Sequence, residues 1–249
     1  MIMIMRIDRL LCELNIGTRS QVKDLLKKGL VTVNGQAVKK GDVKVNERED
    51  VIVCQGKTYT YHPLVYYMMN KPSGIVTAKR DGHDVTVMDV FCEQMKLSRG
   101  GDLAGIPVKD IFPAGRLDKD TVGLLLLTND GALAHRLLSP GRHVPKKYYV
   151  QTDLPLGAKE AKLLEEGVPI GDEELTRPAV VERAGEKEFF LTVTEGKYHQ
   201  VKRMFEAVGL KVLYLKRISM GGLVLDETLL AGQVRELSKE EVLRLCSQI

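Results

Sequence analysis

The spacing of apolar residues divides the first part of the chain into short helices and a hairpin. Residues 6–15 place apolar side chains three or four positions apart, and residues 19–28 repeat the pattern, so two helices are predicted. Alternating apolar and polar residues on both sides of Asn34-Gly35 then predict a β-hairpin, because Asn-Gly favours the tight turn that joins two strands. The pattern indicates a small helix–helix–hairpin unit.

Later in the chain, strands and helices follow each other without a regular strand–helix–strand alternation. Strands are predicted at residues 64–69, 124–127, 147–153, 188–196 and 211–222. Helices are predicted at residues 86–95, 132–138, 158–168, 199–209 and 238–246, with a turn at 70–74 and a glycine-rich loop at 98–113. This mixture favours the α+β class, with a mixed, largely antiparallel sheet flanked by helices.

A polar segment at residues 55–65, which contains His62-Pro63, separates the two patterns. We interpret it as a hinge and place the domain boundary there, which gives a small domain at 1–60 and a larger one at 61–249. A chain of 249 residues is long enough for two such domains.

Composition narrows the class of protein. No apolar run is long enough to span a membrane, and the apolar start is too short for a signal peptide, so a cytoplasmic protein is expected. The four cysteines lack the close spacing of zinc ligands and form no disulfide framework. Neither a metal nor a membrane partner is therefore expected.

Positive charge is concentrated at the start of the chain. Residues 1–60 hold eleven lysines and arginines against seven acidic residues, whereas the other 189 residues hold 26 of each sign. Arg19, Lys23 and Lys27 recur at intervals of four and line one face of the second helix. An isolated stripe of this kind is usually a solvated face, but a compact unit with all the surplus charge indicates nucleic-acid binding.

The first unit resembles a known RNA-binding domain. The segment RIDRLL…TRSQVKDLLKKGLVTVNGQAVKKGD is similar to S4-type RNA-binding domains over about residues 5–52. The resemblance implies that the second helix and the following turn lie against structured RNA. The candidate RNA contacts in this unit are Arg6, Arg9, Arg19, Lys23 and Lys27.

The segment GRLDKDTVGLLLLTND, residues 115–130, places charged residues in a turn directly before an apolar run. Leu124 to Leu127 is predicted to be core. A turn next to a buried strand holds polar side chains rigidly, as catalytic groups require. From the residues alone, Arg116 and Asp118 could form a structural ion pair, and Asp118 or Asp120 could cap a turn.

That segment resembles the signature of the pseudouridine synthases, in the branch that modifies ribosomal RNA. Three further segments resemble the family in the same order: NKPSG at 70–74, KKYYV at 146–150 and EGKYHQVKRMFEAVG at 195–209. YHQVK and LTRPAVVE resemble the small-subunit branch most closely. The resemblance implies isomerisation of a uridine in 16S rRNA, within an assembling small subunit, by a monomer that requires no cofactor.

The resemblance also implies roles for three residues. Asp118 matches the essential aspartate, which acts as a nucleophile or as a base. Lys202 matches the basic residue that keeps this carboxylate ionised, with Arg203 as the competing candidate. Tyr148 matches the tyrosine that stacks on uracil or takes part in proton transfer, and Tyr149 is expected on the opposite face of the strand.

Other residues are candidates for contacts with RNA. Arg116 is expected to fill the space left by the flipped uridine or to hold phosphates, with an ion pair to Asp118 or Asp120 as the alternative. Asn70 and Lys71 are expected to contact RNA or the edge of the sheet, and Arg203 to face RNA or solvent. His199 is expected to contact RNA or pack locally rather than to act as a base.

Two other functions stay open at this point. The first is a synthase that acts on large-subunit (23S) rRNA. The second is a non-catalytic RNA-binding or ribosome-assembly factor that keeps the fold, against which the intact set of Asp118, Tyr148 and Lys202 argues.

Overall fold

The chain folds into two units. The computed structural model describes residues 4–46, 49–59, 64–101 and 103–247. The first unit comprises Met1–Val65 with Cys92–Ile111, and the second comprises Tyr66–Phe91 with Phe112–Ile249. The predicted hinge includes residues 60–63, which lie outside the described residues, so the hinge and the domain boundary at 60 stay predictions.

The first unit begins with the two predicted helices. Its helices are α1 (Ile7–Glu13) and α2 (Arg19–Lys27), and its strands are β1 (Ile4–Arg6), β2 (Val31–Val33), β3 (Gln36–Ala37), β4 (Lys44–Asn46), β5 (Ile52–Cys54) and β6 (Lys57–Tyr59). The Thr18 hydroxyl accepts a hydrogen bond from the Gln21 backbone N–H, and the Gln21 side chain accepts one from the Thr18 N–H. This capping box fixes where α2 begins.

The predicted hairpin is present in the first unit. Strands β2 and β3 pair antiparallel around Asn34 and Gly35, whose φ angles of 52° and 80° suit the tight turn that this dipeptide favours. The four-stranded sheet has the order β3-β2-β5-β6, while β1 pairs with β4. Apolar residues of both helices and of these strands form one buried cluster.

The second unit is built on a single large sheet. Its strands are β7 (Tyr66–Lys71), β8 (Phe112–Ala114), β9 (Val122–Thr128), β10 (Lys146–Thr152), β11 (Val180–Arg183), β12 (Glu188–Val193), β13 (Val212–Met220), β14 (Leu223–Val224) and β15 (Val234–Glu236). Its helices are α4 (Gly131–Leu138), α5 (Ala158–Glu166), α6 (Gln200–Ala207) and α7 (Lys239–Ser247), and the division between the units falls within α3 (Val87–Ser98).

The strand order confirms the predicted α+β class. Strands run in the order β11-β12-β10-β13-β9-β7-β15, with β8 beside β9 and β14 beside β13. The pairs are antiparallel except for β9 with β13, which are parallel. Gly123 lies where these two strands meet, and a Cβ there would overlap the Arg217 carbonyl oxygen, so the close approach requires glycine.

Two apolar clusters stabilise the second unit. One includes Leu164 of α5 with Met204 and Phe205 of α6, and the other includes Leu133 of α4 and Leu245 of α7. Leu124 to Leu127 are completely buried, so the prediction that this run is core is confirmed. None of the helices in the described part of the chain is both long and apolar enough to cross a membrane.

Two predictions about individual elements were wrong. Asn70 and Lys71 belong to β7 rather than to a turn, because the strand pairs with β9 through Lys71. β8 begins at Phe112, within the stretch predicted to be loop. Several short strands were not predicted, among them β11, whose sequence VVER lies at the sheet edge and lacks a buried face.

Candidate active site

The polar segment that precedes β9, residues 115–121, is a loop. Hydrogen bonds from β7 and from the residues that follow β7 fix this loop in place. The Thr77 hydroxyl donates a hydrogen bond to the Leu117 carbonyl oxygen at 2.7 Å and accepts one from the Leu117 N–H at 3.2 Å. The Gly74 N–H donates to the Lys119 carbonyl oxygen at 2.8 Å. These bonds fix the backbone on both sides of Asp118.

Lys71 adds a third attachment to the same loop. Its ammonium donates to the carbonyl oxygens of Asp118, Lys119 and Thr121 at 3.0, 3.2 and 2.9 Å, and to that of Pro72 at 3.1 Å. The side chain is completely buried. Burial lowers the pKa of Lys71 to about 8, although the charges of Asp120 and Asp118 act in the opposite direction.

The expectation that Asn70 and Lys71 contact RNA or the sheet edge is therefore corrected. Both side chains are buried because β7 continues through them between two neighbouring strands. The Asn70 side-chain amide donates to the Leu229 carbonyl oxygen at 2.7 Å, while Lys71 holds the loop described above. Their contacts lie within the protein.

Asp118 contacts a lysine of α6. The Lys202 ammonium on α6 lies 3.3 Å from Asp118 Oδ2 and 2.6 Å from Asp120 Oδ1. Burial alone would lower the pKa of Lys202, but the hydrogen bond to Asp120 and the charge of Asp118 together raise it. The hydrogen bond from Lys202 also lowers the pKa of Asp120. Both groups of the pair therefore remain charged near neutral pH.

Arg203, the competing candidate, points elsewhere. Its guanidinium donates to the carbonyl oxygens of Tyr198 and Ile170 and to the Asp172 carboxylate. These contacts join α6 to the segment after α5. Lys202, and not Arg203, contacts Asp118, while the expectation that Arg203 faces RNA or solvent stays untested.

His199 lies closer to the carboxylate than the sequence indicated. Its Nε2 atom is 3.5 Å from Asp118 Oδ1, and its φ of 48° places it in the left-handed region at the start of α6. The imidazole also stacks on the Tyr198 ring. Whether it contacts RNA is untested, but its position beside Asp118 is a contact that sequence reasoning missed.

Tyr148 lies on the pocket side of β10. Strand alternation buries Tyr148, which is 9% exposed, whereas Tyr149 packs near Phe190 and Tyr214 on the other face. The prediction that the two tyrosines face opposite sides is confirmed. Tyr148 and Asp118 line the same pocket, whose volume is about 560 Å³.

Two further buried cations line this pocket. Lys146 donates to the Val144 carbonyl oxygen at 3.1 Å, and burial together with the charge of Arg217 lowers the pKa of Lys146 to about 8. Arg217 donates from Nε to the Leu124 carbonyl oxygen at 2.8 Å, while its Nη2 atom is buried without a partner among the described residues. Lys146 stands in the KKYYV segment, but neither residue was singled out from the sequence.

Arg116 is an exposed residue at the same pocket. Among the described residues, Lys202 forms the ion pairs at Asp118 and Asp120, His199 Nε2 lies 3.5 Å from Asp118, and Arg116 forms no ion pair with either carboxylate. The alternative of a structural ion pair is therefore not supported. Arg116 remains available to a ligand of the pocket.

Comparison with known proteins identifies the family to which this arrangement belongs. The family model described as RNA pseudouridylate synthase matches residues 65–207, which include Asp118, Tyr148 and Lys202. The chain belongs to the RNA pseudouridylate synthase family. The S4 domain model matches residues 5–52 of the synthase, so its N-terminal unit contains an S4 domain.

Relatives resemble the synthase over nearly its whole length. An RNA pseudouridine synthase of Bacillus subtilis is 43% identical over 243 residues, which cover 96% of this chain and 97% of the relative. The ribosomal small subunit pseudouridine synthase A of Vibrio cholerae is 41% identical over 239 residues, covering 96% and 98%. A crystal structure of a pseudouridylate synthase superposes with a TM-score of 0.65 at 36% identity, covering 97% of this chain and 99% of that one.

The S4 domain of the synthase presents its basic residues to solvent. Arg6, Arg9, Arg19, Lys23 and Lys27 are all exposed. Arg6 pairs with Asp8 two residues away, and Arg9 pairs with Glu13 on the next turn of α1. These ion pairs are local and exposed, so they contribute little to stability. That these residues contact RNA stays a prediction.

Proposed function

We propose that the synthase converts one uridine of 16S rRNA to pseudouridine, with Asp118 as the essential carboxylate. The observation that carries this proposal is the position of Asp118, on the wall of a pocket, between Lys202 and His199 and near Tyr148. The choice of 16S rRNA is supported by the relatives from two Vibrio species, whose names describe a ribosomal small subunit pseudouridine synthase.

The proposed reaction rearranges bonds within one nucleotide. The bond between uracil N1 and the ribose breaks, the base turns over, and a new bond joins its C5 atom to the same ribose carbon. The C5 proton leaves and N1 gains a proton, so no oxidant, reductant or water is consumed. A carboxylate suits this scheme, because it can attack the ribose or the uracil as a nucleophile, or take a proton from the ribose as a base.

The neighbours of Asp118 hold it in position. The Lys202 ammonium lies 3.3 Å from Asp118 Oδ2, where it orients the carboxylate. The attachments of the loop to Lys71, Gly74 and Thr77 hold the backbone still, so the carboxylate keeps its position when substrate arrives. Tyr148 offers an aromatic face to uracil and a hydroxyl for proton transfer from C5.

The cations of the pocket fit a flipped nucleotide. Removing a uridine from its stack costs a few kcal/mol, which contacts in the pocket must offset. Arg116 is exposed and able to hold a phosphate or fill the vacated space, while Arg217 and Lys146 give the pocket wall a positive potential toward the uracil oxygens. The S4 domain supplies further positive charge for the RNA backbone.

The proposed active species is a monomer. The proposed substrate is 16S rRNA in a partly assembled small subunit, because specificity for folded RNA depends on shape. Such a substrate implies action in the cytoplasm, where the subunit is assembled.

The test is release of tritium from 16S rRNA labelled at uridine C5, offered as free RNA and as a partly assembled subunit. The wild type should release tritium without added metal or cofactor. Asp118→Asn should lower the rate by at least about 10⁴-fold, the scale seen when an enzyme loses its essential carboxylate or nucleophile. Asp120→Asn is the matched control, because the Asp120 side chain is 70% exposed and contacts the same lysine, Lys202, as Asp118 does.

Three outcomes separate the alternatives. Release by the wild type, none by Asp118→Asn and near-normal release by Asp120→Asn support the proposal. Release only from labelled 23S rRNA contradicts the small-subunit target. Tight binding of RNA without release from either rRNA contradicts the catalytic proposal and favours a binding factor.

A further inference from the structure

The segment that leads into α6 is fixed in place although it lies at the surface of the pocket. The buried Gln200 side chain accepts a hydrogen bond from the Lys197 N–H at 3.1 Å and donates to the Glu195 carboxylate at 2.9 Å. Arg203 Nη1 donates to the Tyr198 carbonyl oxygen at 2.9 Å. The backbone of this segment is therefore held from both sides, which is typical of a preorganised binding element.

This fixed backbone carries an exposed aromatic ring. The Tyr198 side chain lines the pocket, yet Tyr198 is 70% exposed. Its ring stacks on the His199 imidazole with ring centroids 3.9 Å apart and an angle of 17° between the planes. Because His199 covers one face of the ring, the exposed area belongs to the other face and the edge.

The aromatic stack of Tyr198 and His199 is also fixed relative to Asp118. His199 Nε2 lies 3.5 Å from Asp118 Oδ1, and the left-handed backbone of His199 limits the directions in which its side chain points. Tyr198 and Asp118 therefore contact the same imidazole and line the same pocket.

A single strand of RNA at this pocket would bring bases to the exposed face of Tyr198. The target nucleotide leaves its stack to reach Asp118, and its neighbours lose a stacking partner at the same moment. Proteins bind unstacked bases on aromatic rings, because every base has a flat face that stacks. The exposed Arg116 at the same pocket adds the positive charge that suits the phosphates of such a strand.

We infer that Tyr198, supported by His199, is a stacking site for a nucleobase next to the target uridine. This inference rests on the proposed function, because the pocket must receive an RNA strand. Tyr198 is then a residue that binds and positions substrate rather than a catalytic one. A base stacked on it fixes the register of the strand, so the neighbouring uridine enters the pocket toward Asp118.

The test is a double-mutant cycle between the protein and the RNA. Fluorescence anisotropy measures the affinity of the full chain for the tightest binder among short overlapping fragments of 16S rRNA. In that fragment an abasic nucleotide replaces each position in turn. The proteins are the wild type, Tyr198→Ala, Tyr198→Phe and, as a matched control, Tyr214→Ala on the opposite sheet face.

Tyr198→Ala should weaken binding about 5- to 150-fold, the range expected for loss of one stacked base. Tyr198→Phe, which keeps the ring, and Tyr214→Ala should stay within about twofold of the wild type. One abasic position should weaken the wild type by a similar factor and leave Tyr198→Ala unaffected. That position should neighbour the uridine that is modified.

Equal effects of every abasic position on the wild type and Tyr198→Ala would overturn the inference. So would a Tyr198→Ala variant with a lower rate of tritium release and unchanged affinity, since that pattern means the ring only supports His199. The affinity measurement reports binding and does not depend on the reaction rate. The stacking inference and the proposed function can therefore fail separately. Coupling to a base without tritium release contradicts the proposed function alone, and release without coupling contradicts this inference alone.

Discussion

Positively charged side chains are used differently in the S4 domain and at the pocket of the second unit. In the S4 domain they are exposed, and the ion pairs of Arg6 and Arg9 join residues two and four positions apart. Around Asp118 in the second unit, Lys71 contacts a loop 47 to 50 residues further along the chain, and Lys202 contacts Asp120, which is 82 residues away. Exposed charges attract a polyanion over a distance, whereas enclosed ones fix the position of particular atoms.

This difference predicts different responses to salt. Contacts between exposed lysines and phosphates release counterions, so binding through them weakens steeply as salt rises. A half-buried contact such as that of Lys202 with Asp118 is screened much less. Substitutions at the pocket should therefore change the rate of reaction at every salt concentration, and substitutions on the S4 domain should change salt-dependent affinity.

The largest effect among the tests of this comparison is expected for Lys202→Met. The substitution keeps the length of the side chain but removes the cation 3.3 Å from Asp118. We expect tritium release to fall by about 10²-fold, the usual cost of losing one charged group that acts on the reacting centre, with little change in RNA affinity. Rates measured across a salt series should keep the same ratio to the wild type.

Lys159→Met is the matched control, because Lys159 is an exposed lysine on α5. It should behave like the wild type in rate and affinity. A wild-type rate for Lys202→Met would mean that the Lys202 contact with Asp118 only stabilises the fold. A loss that disappears at high salt would contradict the distinction between enclosed and exposed charges.

A second test concerns the attachment of the loop through Lys71. Lys71→Met leaves four carbonyl oxygens, one buried and three partly buried, without the donor that they share. We expect the free energy of unfolding to fall by about 2–4 kcal/mol, because buried acceptors that lose their partner cost about 1–3 kcal/mol each and part of the loop relaxes. Urea unfolding of the full chain measures this loss.

The rate of tritium release by Lys71→Met should also fall while the protein is still folded, because the Asp118 backbone loses its donor. Lys119→Met is the control from the same loop, since Lys119 is exposed and pairs with Asp84 at the surface. It should cost less than about 1 kcal/mol. Equal losses for both variants would contradict the role assigned to the buried lysine.

Much of the site follows from sequence, and the physical reasons are visible at particular residues. The alternation of side chains along a strand predicts that Tyr148 and Tyr149 face opposite sides of the sheet, and they do so in the structure. A run of four leucines predicts a buried strand, and Leu124 to Leu127 are buried. The meeting of Asp118 with Lys202 came from the order of family motifs, because no local rule joins residues so far apart.

The contacts of Lys71 and His199 could not be predicted in the same way. A lysine after an apolar run indicates the end of a strand. Only the register of β7 with β9 brings Lys71 into contact with the loop that contains Asp118. His199 reaches Asp118 because its backbone adopts a left-handed conformation, which is uncommon for a residue other than glycine. Both depend on tertiary pairing and backbone geometry that the local pattern does not contain.

The smallest effect is expected on the S4 domain, where Lys23→Glu reverses one charge of the exposed face of α2. RNA affinity should fall by about three- to tenfold near physiological salt, and the dependence of affinity on salt should become shallower by one to two counterions, roughly the charge removed. Lys159→Glu on α5 makes the same change of charge elsewhere and should have less effect. Both variants should unfold at the wild-type temperature, because neither side chain is buried.

An unchanged salt dependence for Lys23→Glu would mean that α2 does not contact phosphates. The positively charged side chains of the two units would then differ in solvent exposure but not in how they bind RNA.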